Sequence, residues 1–418
     1  MIYVHVPFCR SFCTYCDFYS EVAARCRRAE DEQRQNDSFN GYSKALAEEA
    51  VMRGHEITDH VNTLYIGGGT PSVLPLSVFE NLLAALSETG HGGPFDEFTV
   101  EVNPEDIVEK GGKYVEGLLR LGVNRISMGV QSFDDGILKF MNRRHDAASA
   151  RKAYSILEDA GVANISIDLI FGLPQLSDTQ WTDTLKNALE ISSRGVPPHH
   201  ISSYQLSVEP GSMLARMVEK GMWSEAPEEL CERQYAMLCE ALAAAGYHHY
   251  EISNFARPGY EAVHNSAYWK HVPYVGLGPG AHSFCAEAGR SRMYGSGIFP
   301  PPGRGRGPLD RAGGSHWNTP ARPAFRQWNR PDLRAYIADP SGISEHETLD
   351  EDQLVLERIM LALRTSDGIP ASYLKEHCDL PSLDRALASG DLVMKPDGNI
   401  RIPENRFFVS DRIISDIV

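Results

Sequence analysis

Residues 2–16 read IYVHVPFCRSFCTYC. The first five, residues 2–6, alternate apolar and polar side chains as a β-strand does. The loop behind them carries Cys9, Cys13 and Cys16. Iron–sulfur clusters are held by cysteine thiolates, and three cysteines on one short loop can each reach a different iron of a cubane. The spacing therefore predicts a 4Fe–4S cluster whose fourth iron has no protein ligand and is open to a second group.

Two other interpretations of these cysteines are weaker. A structural zinc site needs four nitrogen or sulfur ligands, usually as two separated pairs, and this sequence has no second pair. His5 is a candidate fourth ligand, but it lies within the predicted strand. The remaining five of the 8 cysteines are scattered singly, which is not typical of a disulfide framework and favours a reducing compartment. They are Cys26, Cys231, Cys239, Cys285 and Cys378.

The composition is that of an ordinary soluble protein. In 418 residues, 42% are hydrophobic and 23% charged, enough for one large barrel and a smaller appended domain. A net charge of −16 argues against nucleic acid as a partner. The sequence has no apolar run of about 18 residues and no signal-peptide pattern at its start. We therefore expect a cytoplasmic protein, with any membrane contact being peripheral.

Short strands alternate with helices from residue 1 to about 255, which predicts a parallel sheet with right-handed crossovers. The fold class expected is α/β, a partial or complete (β/α) barrel. The predicted strands are 2–6, 63–66, 98–102, 125–130, 164–170, 200–206 and 248–252. The predicted helices between them are 41–53, 75–88, 111–121, 147–160 and 178–191.

The domain organisation is expected to have three parts. Residues 1–220 form the barrel with the cysteine loop, 221–345 form a second region, and 346–418 form a helical module. That module ends in a hairpin around a Pro-Asp-Gly-Asn turn, which indicates a winged-helix-like unit. Within the second region, about 290–330 is rich in Gly, Pro and Arg without a period, which predicts a flexible surface insertion or a basic arm for an anionic ligand.

Several polar or glycine residues lie at the ends of the predicted strands or shortly after them, where barrel folds carry their chemistry. Glycines 67–69 allow close backbone approach, so their amides are expected to face a charged group of a ligand. No Gly-Lys-Ser/Thr follows them as in a P-loop, which disfavours ATP as the ligand. Each of the others alone is more typical of a barrel rim, but together they predict one site. They are Glu101, Gln131, Arg143 and Asp168.

An ordered series of motifs resembles the coproporphyrinogen oxidase branch of the radical S-adenosylmethionine (SAM) superfamily, and within it the HemW-type heme chaperones. The matching stretches run from residue 2 to residue 284. They include IYVHVPFCRSFCTYCDF, YIGGGTPS, EVNPE, NRISMGVQSF, MNRRH, IDLIFGLP, YEISNFARPG and HNSAYWKHVPYVGLGPGAHSF. The resemblance implies a radical SAM barrel and a role in porphyrin biosynthesis or heme handling.

The resemblance also implies roles for individual residues. Cys9, Cys13 and Cys16 would ligate the cluster. The residues that would line the first SAM site are Tyr3, Gly68 and Glu101. Those that fall where the related oxidase holds a second SAM are Tyr15, Gly69, Thr70, Gln131, Arg143 and Asp168. The expected cofactors are thus the 4Fe–4S cluster, SAM and heme, with an electron donor and haemoprotein acceptors as partners.

Two features favour the chaperone over an oxygen-independent coproporphyrinogen III oxidase. The oxidase has a further cysteine two residues after its third ligand, where this sequence has Phe18. The oxidase also has a sizeable extension before its cysteine loop, whereas eight residues precede Cys9 here. The alternatives kept open are that oxidase, which decarboxylates propionate side chains, and a radical SAM enzyme acting on another tetrapyrrole or lipid.

The heme is expected on the segment His264-Asn265-Ser266-Ala267-Tyr268-Trp269. A His imidazole is a common axial ligand, and aromatic side chains cover the macrocycle. From the residues alone, core packing is the stronger interpretation of this segment. The resemblance favours heme on His264, Asn265, Tyr268 and Trp269, because the HNxxYW pattern is intact. His282 is a competing axial ligand and His271 a weaker one.

Overall fold

A computed structural model describes residues 1–22, 29–58, 61–286 and 324–418. Seven parallel strands form the body of its largest sheet, namely β1 Ile2–Val6, β4 Thr63–Gly68, β5 Glu97–Val102, β6 Arg125–Gln131, β7 Ile165–Phe171, β8 His200–Gln205 and β11 Val275–Leu277. Their order in the sheet is β11-β1-β4-β5-β6-β7-β8. Two further strands, β10 (Asn254–Ala256) and β9 (His248–Glu251), extend the sheet in antiparallel pairing. Among the described residues β11 and β9 are the two free edges, so the sheet is a partial barrel, as predicted.

Helices on the outside of this sheet follow the parallel strands. They are α1 Ala29–Arg53, α2 Leu76–Glu88, α3 Pro104–Arg120, α4 Asp135–Phe140, α5 Ala147–Asp159, α6 Asp178–Leu189, α7 Met213–Glu219 and α8 Glu228–Ala244. Helix α3 is interrupted at Gly111, where φ is 69°, so its second part begins where the sequence predicts a helix. The first part was not predicted; it starts at Pro104, whose missing N–H costs nothing in a first helical turn. The apolar sides of these helices and strands share one core cluster, which includes Phe79, Phe98 and Trp181. None of the described helices is long and apolar enough to cross a membrane.

The ends of the parallel strands define two faces of the barrel. The carboxyl ends carry the cysteine loop, in which β2 (Phe8–Cys9) pairs with β3 (Glu21–Val22). We call this face the mouth. Helix α9 (Val263–Trp269) packs against β4 at the opposite face, where the strands begin, and we call that face the floor.

A second sheet was not expected from the sequence. Strands β12 (His282–Ala286), β13 (Ala324–Asn329) and β14 (Ser344–Leu349) form an antiparallel sheet beside the barrel edge, with α10 (Leu333–Ala338) in the connection between the last two. The predicted insertion at about 290–330 is therefore wrong at its end, because residues 324–329 pair with strands on both sides. Cross-strand pairing overrides the absence of a local pattern there. The rest of that prediction, 290–323, lies outside the described residues.

The carboxyl-terminal module contains the predicted helices and hairpin, but it does not end in the hairpin, because a further helix, α14 (Ser410–Ser415), follows it. The helices are α11 Glu351–Leu363, α12 Ala371–His377, α13 Leu380–Ser389 and α14 Ser410–Ser415. A small antiparallel sheet has the order β15 (Ile369–Pro370), β17 (Asn399–Arg401), β16 (Val393–Met394). The module joins the barrel where the Ser366 amide donates to the Tyr250 carbonyl at 2.9 Å.

Candidate cofactor site

The cysteine loop is fixed to several separate parts of the barrel. The Thr14 amide donates to the Met141 carbonyl at 3.2 Å, and the Leu214 amide donates to the Thr14 carbonyl at 2.9 Å. The Asn142 side chain donates to the Phe12 carbonyl at 2.6 Å. Arg10, between the first two cysteines, is ion-paired with two carboxylates of α3. The loop conformation is thus imposed by the barrel and does not depend on local sequence alone.

The three cysteines are free thiols with polar neighbours. Cys9 Sγ lies 3.3 Å from Thr70 Oγ1, and the Arg143 guanidinium donates to Cys13 Sγ at 3.4 Å. Burial raises the pKa of Cys9, and that of Cys16 to about 12. Positive charge is therefore needed to hold them as thiolates, and metal binding supplies it as the protons leave.

Within the described ranges, no three His, Cys, Asp or Glu side chains are placed to share a single metal ion. A cubane cluster does not require the three cysteines to converge on one ion, because each cysteine binds a different iron. Two buried polar atoms next to the loop lack a partner, Thr14 Oγ1 and Arg143 Nε. Buried polar atoms normally find partners, so these two are available to a bound group. The donor set and its surroundings fit an iron–sulfur cluster.

Gly67 and Gly68 are the last residues of β4, and the amide of Gly69, which follows them, is used differently from the prediction. The Gly69 amide donates to the Val6 carbonyl at 2.8 Å, and the Thr70 amide to the Phe8 carbonyl at 2.7 Å. The expectation that the glycine amides face a ligand is therefore wrong for Gly69. A Cβ on Gly69 would lie 2.7 Å from the Phe8 carbonyl oxygen, so glycine allows the cysteine loop to approach the sheet.

Two carboxylates project from β5 and β7 into the barrel. Glu101 accepts a hydrogen bond from the Tyr65 hydroxyl at 2.6 Å, and Asp168 accepts one from the Ser127 hydroxyl at 3.2 Å. Burial, together with like-charge repulsion from Asp168, raises the pKa of Glu101 to about 7. Burial also raises the pKa of Asp168. Such perturbed carboxyls in a barrel mouth are typical of a binding site for polar or cationic groups.

Gln131 ends β6 in a strained backbone conformation. Its φ is 67°, and the pairing with β7 shifts register between Gly129 and Gln131. The left-handed region is unfavourable for a residue with a Cβ, and such strain concentrates at functional sites. Arg143 lies beside this turn, where it donates to the Gly129 carbonyl at 2.8 Å and to Asn103 Oδ1 at 2.6 Å. Gln131 and Arg143 are thereby brought together at the mouth.

Tyr3 and His5 lie on the β1 strand that leads into the loop. Tyr3 Oη and His5 Nδ1 are 3.2 Å apart, and His5 Nε2 lies 2.8 Å from the Tyr19 carbonyl oxygen. The Tyr19 carbonyl is an acceptor only, so Nε2 carries the proton and Nδ1 accepts from Tyr3. His5 thus holds the end of the cysteine loop, and both its nitrogens are used. Tyr15 is half-buried next to Cys13. Burial raises the pKa of the Tyr15 hydroxyl, and the neighbouring Cys13 raises it as well.

The predicted heme segment lies at the floor, away from the cysteine loop. His264 is 1% exposed, with Nδ1 2.8 Å from Thr63 Oγ1 and Nε2 3.1 Å from the hydroxyl oxygen of Tyr268. Asn265, Tyr268 and Trp269 are half-buried. The structure therefore places the Tyr268 ring edge-on to His264, with ring centroids 5.0 Å apart. Both imidazole nitrogens of His264 lie within hydrogen-bond distance of hydroxyl groups.

The two competing histidines lie elsewhere. His282 is exposed on β12, and its ring is stacked 6.1 Å from Trp328 of β13. His271 follows α9, where its Nε2 lies 3.1 Å from Glu357 Oε2 and its ring stacks on Phe284 at 4.3 Å. Neither shares the surroundings of His264.

Sequence reasoning missed the charged residues that close the floor. Glu97 accepts the Val263 amide at 2.7 Å and the His264 amide at 3.3 Å, which fixes the start of α9. Arg125 is 1% exposed, and the Glu97 carboxylate raises its pKa against the opposing effect of burial. A signal was present, because polar residues at alternate positions of otherwise apolar strands indicate a polar barrel interior.

Comparison with known proteins agrees with this architecture. Residues 3–188 match the family model of the Radical SAM superfamily. The structure described as "Coproporphyrinogen III oxidase (HemN) from Escherichia coli is a Radical SAM enzyme" superposes with a TM-score of 0.70. The match covers 99% of this chain and 89% of that chain at 21% identity, so it shows the fold. The fold and the mouth thus define a radical SAM protein.

Two curated relatives are more similar in sequence. The chain is 35% identical over 283 residues to a heme chaperone HemW from Synechocystis sp., and 34% identical over 284 residues to one from Lactococcus lactis subsp. lactis. Each alignment covers 68% of this chain, and 65% and 69% of the two relatives. The chain belongs to the heme chaperone HemW family.

Proposed function

We propose that this protein is a heme chaperone that binds a 4Fe–4S cluster, SAM and heme and passes the heme to haemoprotein acceptors. The observation that carries the proposal is the similarity to proteins named heme chaperone HemW. The geometry supports it by providing two separate sites in one barrel, a polar mouth and an aromatic floor. We place the protein in the cytoplasm, where an electron donor reduces the cluster.

The mouth residues have distinct parts in this proposal. Cys9, Cys13 and Cys16 hold the cluster, which supplies an iron to which SAM binds. Glu101 accepts hydrogen bonds from the ribose or the ammonium group of SAM, because a carboxylate offers two acceptor oxygens. The other residues proposed to line SAM are Tyr3, Tyr15, Gly68, Gly69, Thr70, Gln131, Arg143 and Asp168.

Heme at the floor is proposed to use His264 as its axial ligand, with Asn265, Tyr268 and Trp269 around the macrocycle. In the described structure both ring nitrogens of His264 have partners. Heme binding must therefore displace the Thr63 or the Tyr268 hydroxyl and move α9 away from the strand ends. Burial lowers the pKa of His264 well below its usual range, so the imidazole is neutral and suited to iron once it is released.

The test is a heme titration, followed by the Soret band, on wild type, His264→Ala and His282→Ala. We expect His264→Ala to lose or shift the band, while His282→Ala largely keeps it. His282 is the control because it is an exposed histidine on strand β12, whereas His264 is buried on helix α9. Equal binding by wild type and His264→Ala would exclude His264 as the ligand and leave the radical SAM core unaffected.

The alternative function is an oxygen-independent coproporphyrinogen III oxidase, which the likeness of fold and the polar mouth keep in view. Phe18 argues against it, because the side chain is 63% exposed and cannot act as the oxidase's additional thiol. Anaerobically reconstituted protein should bind heme yet form no protoporphyrinogen with SAM and a reductant. Turnover above that of a cluster-free control would favour the oxidase instead.

A further inference from the structure

Tyr65 touches both of the proposed sites. It lies in the middle of β4, and its hydroxyl donates to Glu101 Oε1 at 2.6 Å on the side of the mouth. Its ring is stacked on the His264 imidazole, with the ring centroids 5.1 Å apart and the planes 29° from parallel. One side chain therefore connects the carboxylate assigned to SAM with the imidazole assigned to heme.

The imidazole of His264 is enclosed on three sides. Thr63 and Tyr268 occupy its two nitrogens, and Tyr65 covers one of its faces. Heme needs both an iron–nitrogen bond and space for a macrocycle next to that bond. Release of His264 therefore requires its contact with Tyr65 to break as well as its hydrogen bonds.

Gly67 of β4 leaves room for the hydrogen bond between Tyr65 and Glu101. A Cβ on Gly67 would lie 2.8 Å from both Tyr65 Cε1 and Glu101 Oε1. Any larger residue at position 67 would force the tyrosine or the carboxylate to move. Glycine at this position thus permits a hydrogen bond that a side chain would disturb.

We propose that Tyr65 is a positioning residue that couples the two sites, so that SAM bound at Glu101 holds His264 in the floor and weakens heme binding. The inference rests on the proposed function. SAM carries a fixed sulfonium charge that its own carboxylate and ammonium leave uncompensated, and this positive charge favours the ionised form of Glu101. The hydrogen bond from Tyr65 then becomes charge-assisted, and such bonds are roughly twice as strong as neutral ones. The coupling is reciprocal, because a ligand that weakens a second ligand is weakened by it to the same degree.

The experiment measures heme affinity with and without saturating SAM, on cluster-reconstituted full-length protein. For wild type we expect SAM to raise the heme Kd by about fivefold or more, the lower end of typical coupling between sites. Tyr65→Phe keeps the ring and removes the hydroxyl, so its ratio should fall close to one. The matched control, Tyr268→Phe, removes a hydroxyl from the other side of the same imidazole and should change heme affinity while keeping the SAM dependence.

Two outcomes would overturn the coupling. One is a wild-type SAM dependence retained by Tyr65→Phe, and the other is a wild-type protein that binds both ligands independently or binds heme more tightly with SAM. Absence of heme binding by wild type would instead count against the proposed function. The coupling is then tested without heme, by hydrogen exchange of the Val263 and His264 amides that donate to Glu97. SAM should slow their exchange in wild type and leave it unchanged in Tyr65→Phe, and equal exchange in wild type with and without SAM would refute the inference.

Discussion

The mouth and the floor of the barrel differ at the groups proposed to meet a ligand, although each face holds a buried guanidinium nitrogen without a partner, Arg143 Nε and Arg125 Nε. At the mouth, Gln131 is strained and Arg143 Nε and Thr14 Oγ1 lack partners. At the floor, both ring nitrogens of His264 are bonded, and Glu97 fixes the backbone of α9. The mouth can gain a ligand without breaking a protein contact, whereas a ligand at the floor must first displace one. A cofactor site and a site for transferable cargo would differ in this way.

The largest expected effect concerns the cysteine loop of the mouth. Replacement of Cys9, Cys13 or Cys16 by Ala should abolish the 4Fe–4S absorbance after reconstitution, because each supplies the only protein thiolate for one iron. The matched control is Cys239→Ala, a half-buried thiol on α8 outside the mouth. Unchanged iron content in Cys13→Ala would show that the cysteine loop at the mouth does not hold the cluster.

At the floor, the expected effect is on stability. Glu97→Gln removes a negative charge that offsets the buried Arg125 guanidinium, so we expect the free energy of unfolding to fall by about 1–3 kcal/mol, the usual cost of an uncompensated buried polar group. Denaturant unfolding measures this change. The exposed pair Arg194–Asp159 is the control, and Asp159→Asn should cost about 1 kcal/mol or less. A similar small cost for Glu97→Gln would show that the floor is not held by charge.

A smaller effect is the pH dependence of SAM binding, which distinguishes Glu101 at the mouth from other buried carboxyl groups. Glu101 has a pKa of about 7, so it is increasingly protonated below that pH and a poorer acceptor for SAM. The apparent Kd of SAM should therefore rise by up to about tenfold for each pH unit below 7, as expected for one linked proton. Equilibrium SAM binding across neutral pH measures this slope.

Two variants identify the group responsible. Glu101→Gln should bind SAM weakly and without the slope. Burial also raises the pKa of Glu251 to about 7, but this residue lies on β9, so Glu251→Gln should keep the slope. Loss of the slope in Glu251→Gln alone would contradict the assignment of Glu101.

The smallest effect tests strain at the mouth. Glycine at position 131 relieves a positive φ, so Gln131→Gly should be about 1 kcal/mol more stable than Gln131→Ala, the reverse of the usual order within an element. Thermal unfolding measures the stabilities of the two variants. Both lack the glutamine side chain, so the difference between them reports on the backbone conformation. If the alanine variant is the more stable one, the backbone at position 131 is not strained.

The sequence by itself determined the strands, the cysteine loop and the class of fold. Period-two alternation in residues such as 2–6 and 63–66 is a local property, because successive side chains of a strand point to opposite faces. The spacing of Cys9, Cys13 and Cys16 is likewise local. For the same reason the sequence predicted that Glu101 and Gln131, near the ends of β5 and β6, share one edge of the sheet, since parallel strands end at one edge. The prediction that Asp168 ends its strand is wrong, because it lies in the middle of β7.

Only the tertiary structure decided which partners the other residues have. Sequence order does not reveal that the Gly69 amide is used by Val6, or that β12 pairs with residues beyond 323. It also does not reveal that Tyr65 lies between Glu101 and His264, because His264 is separated from β4 by about 200 residues and reaches it only when α9 folds across the floor. Hydrogen bonds and ring contacts depend on distances between atoms, and these are set by packing of the whole barrel and not by any one segment.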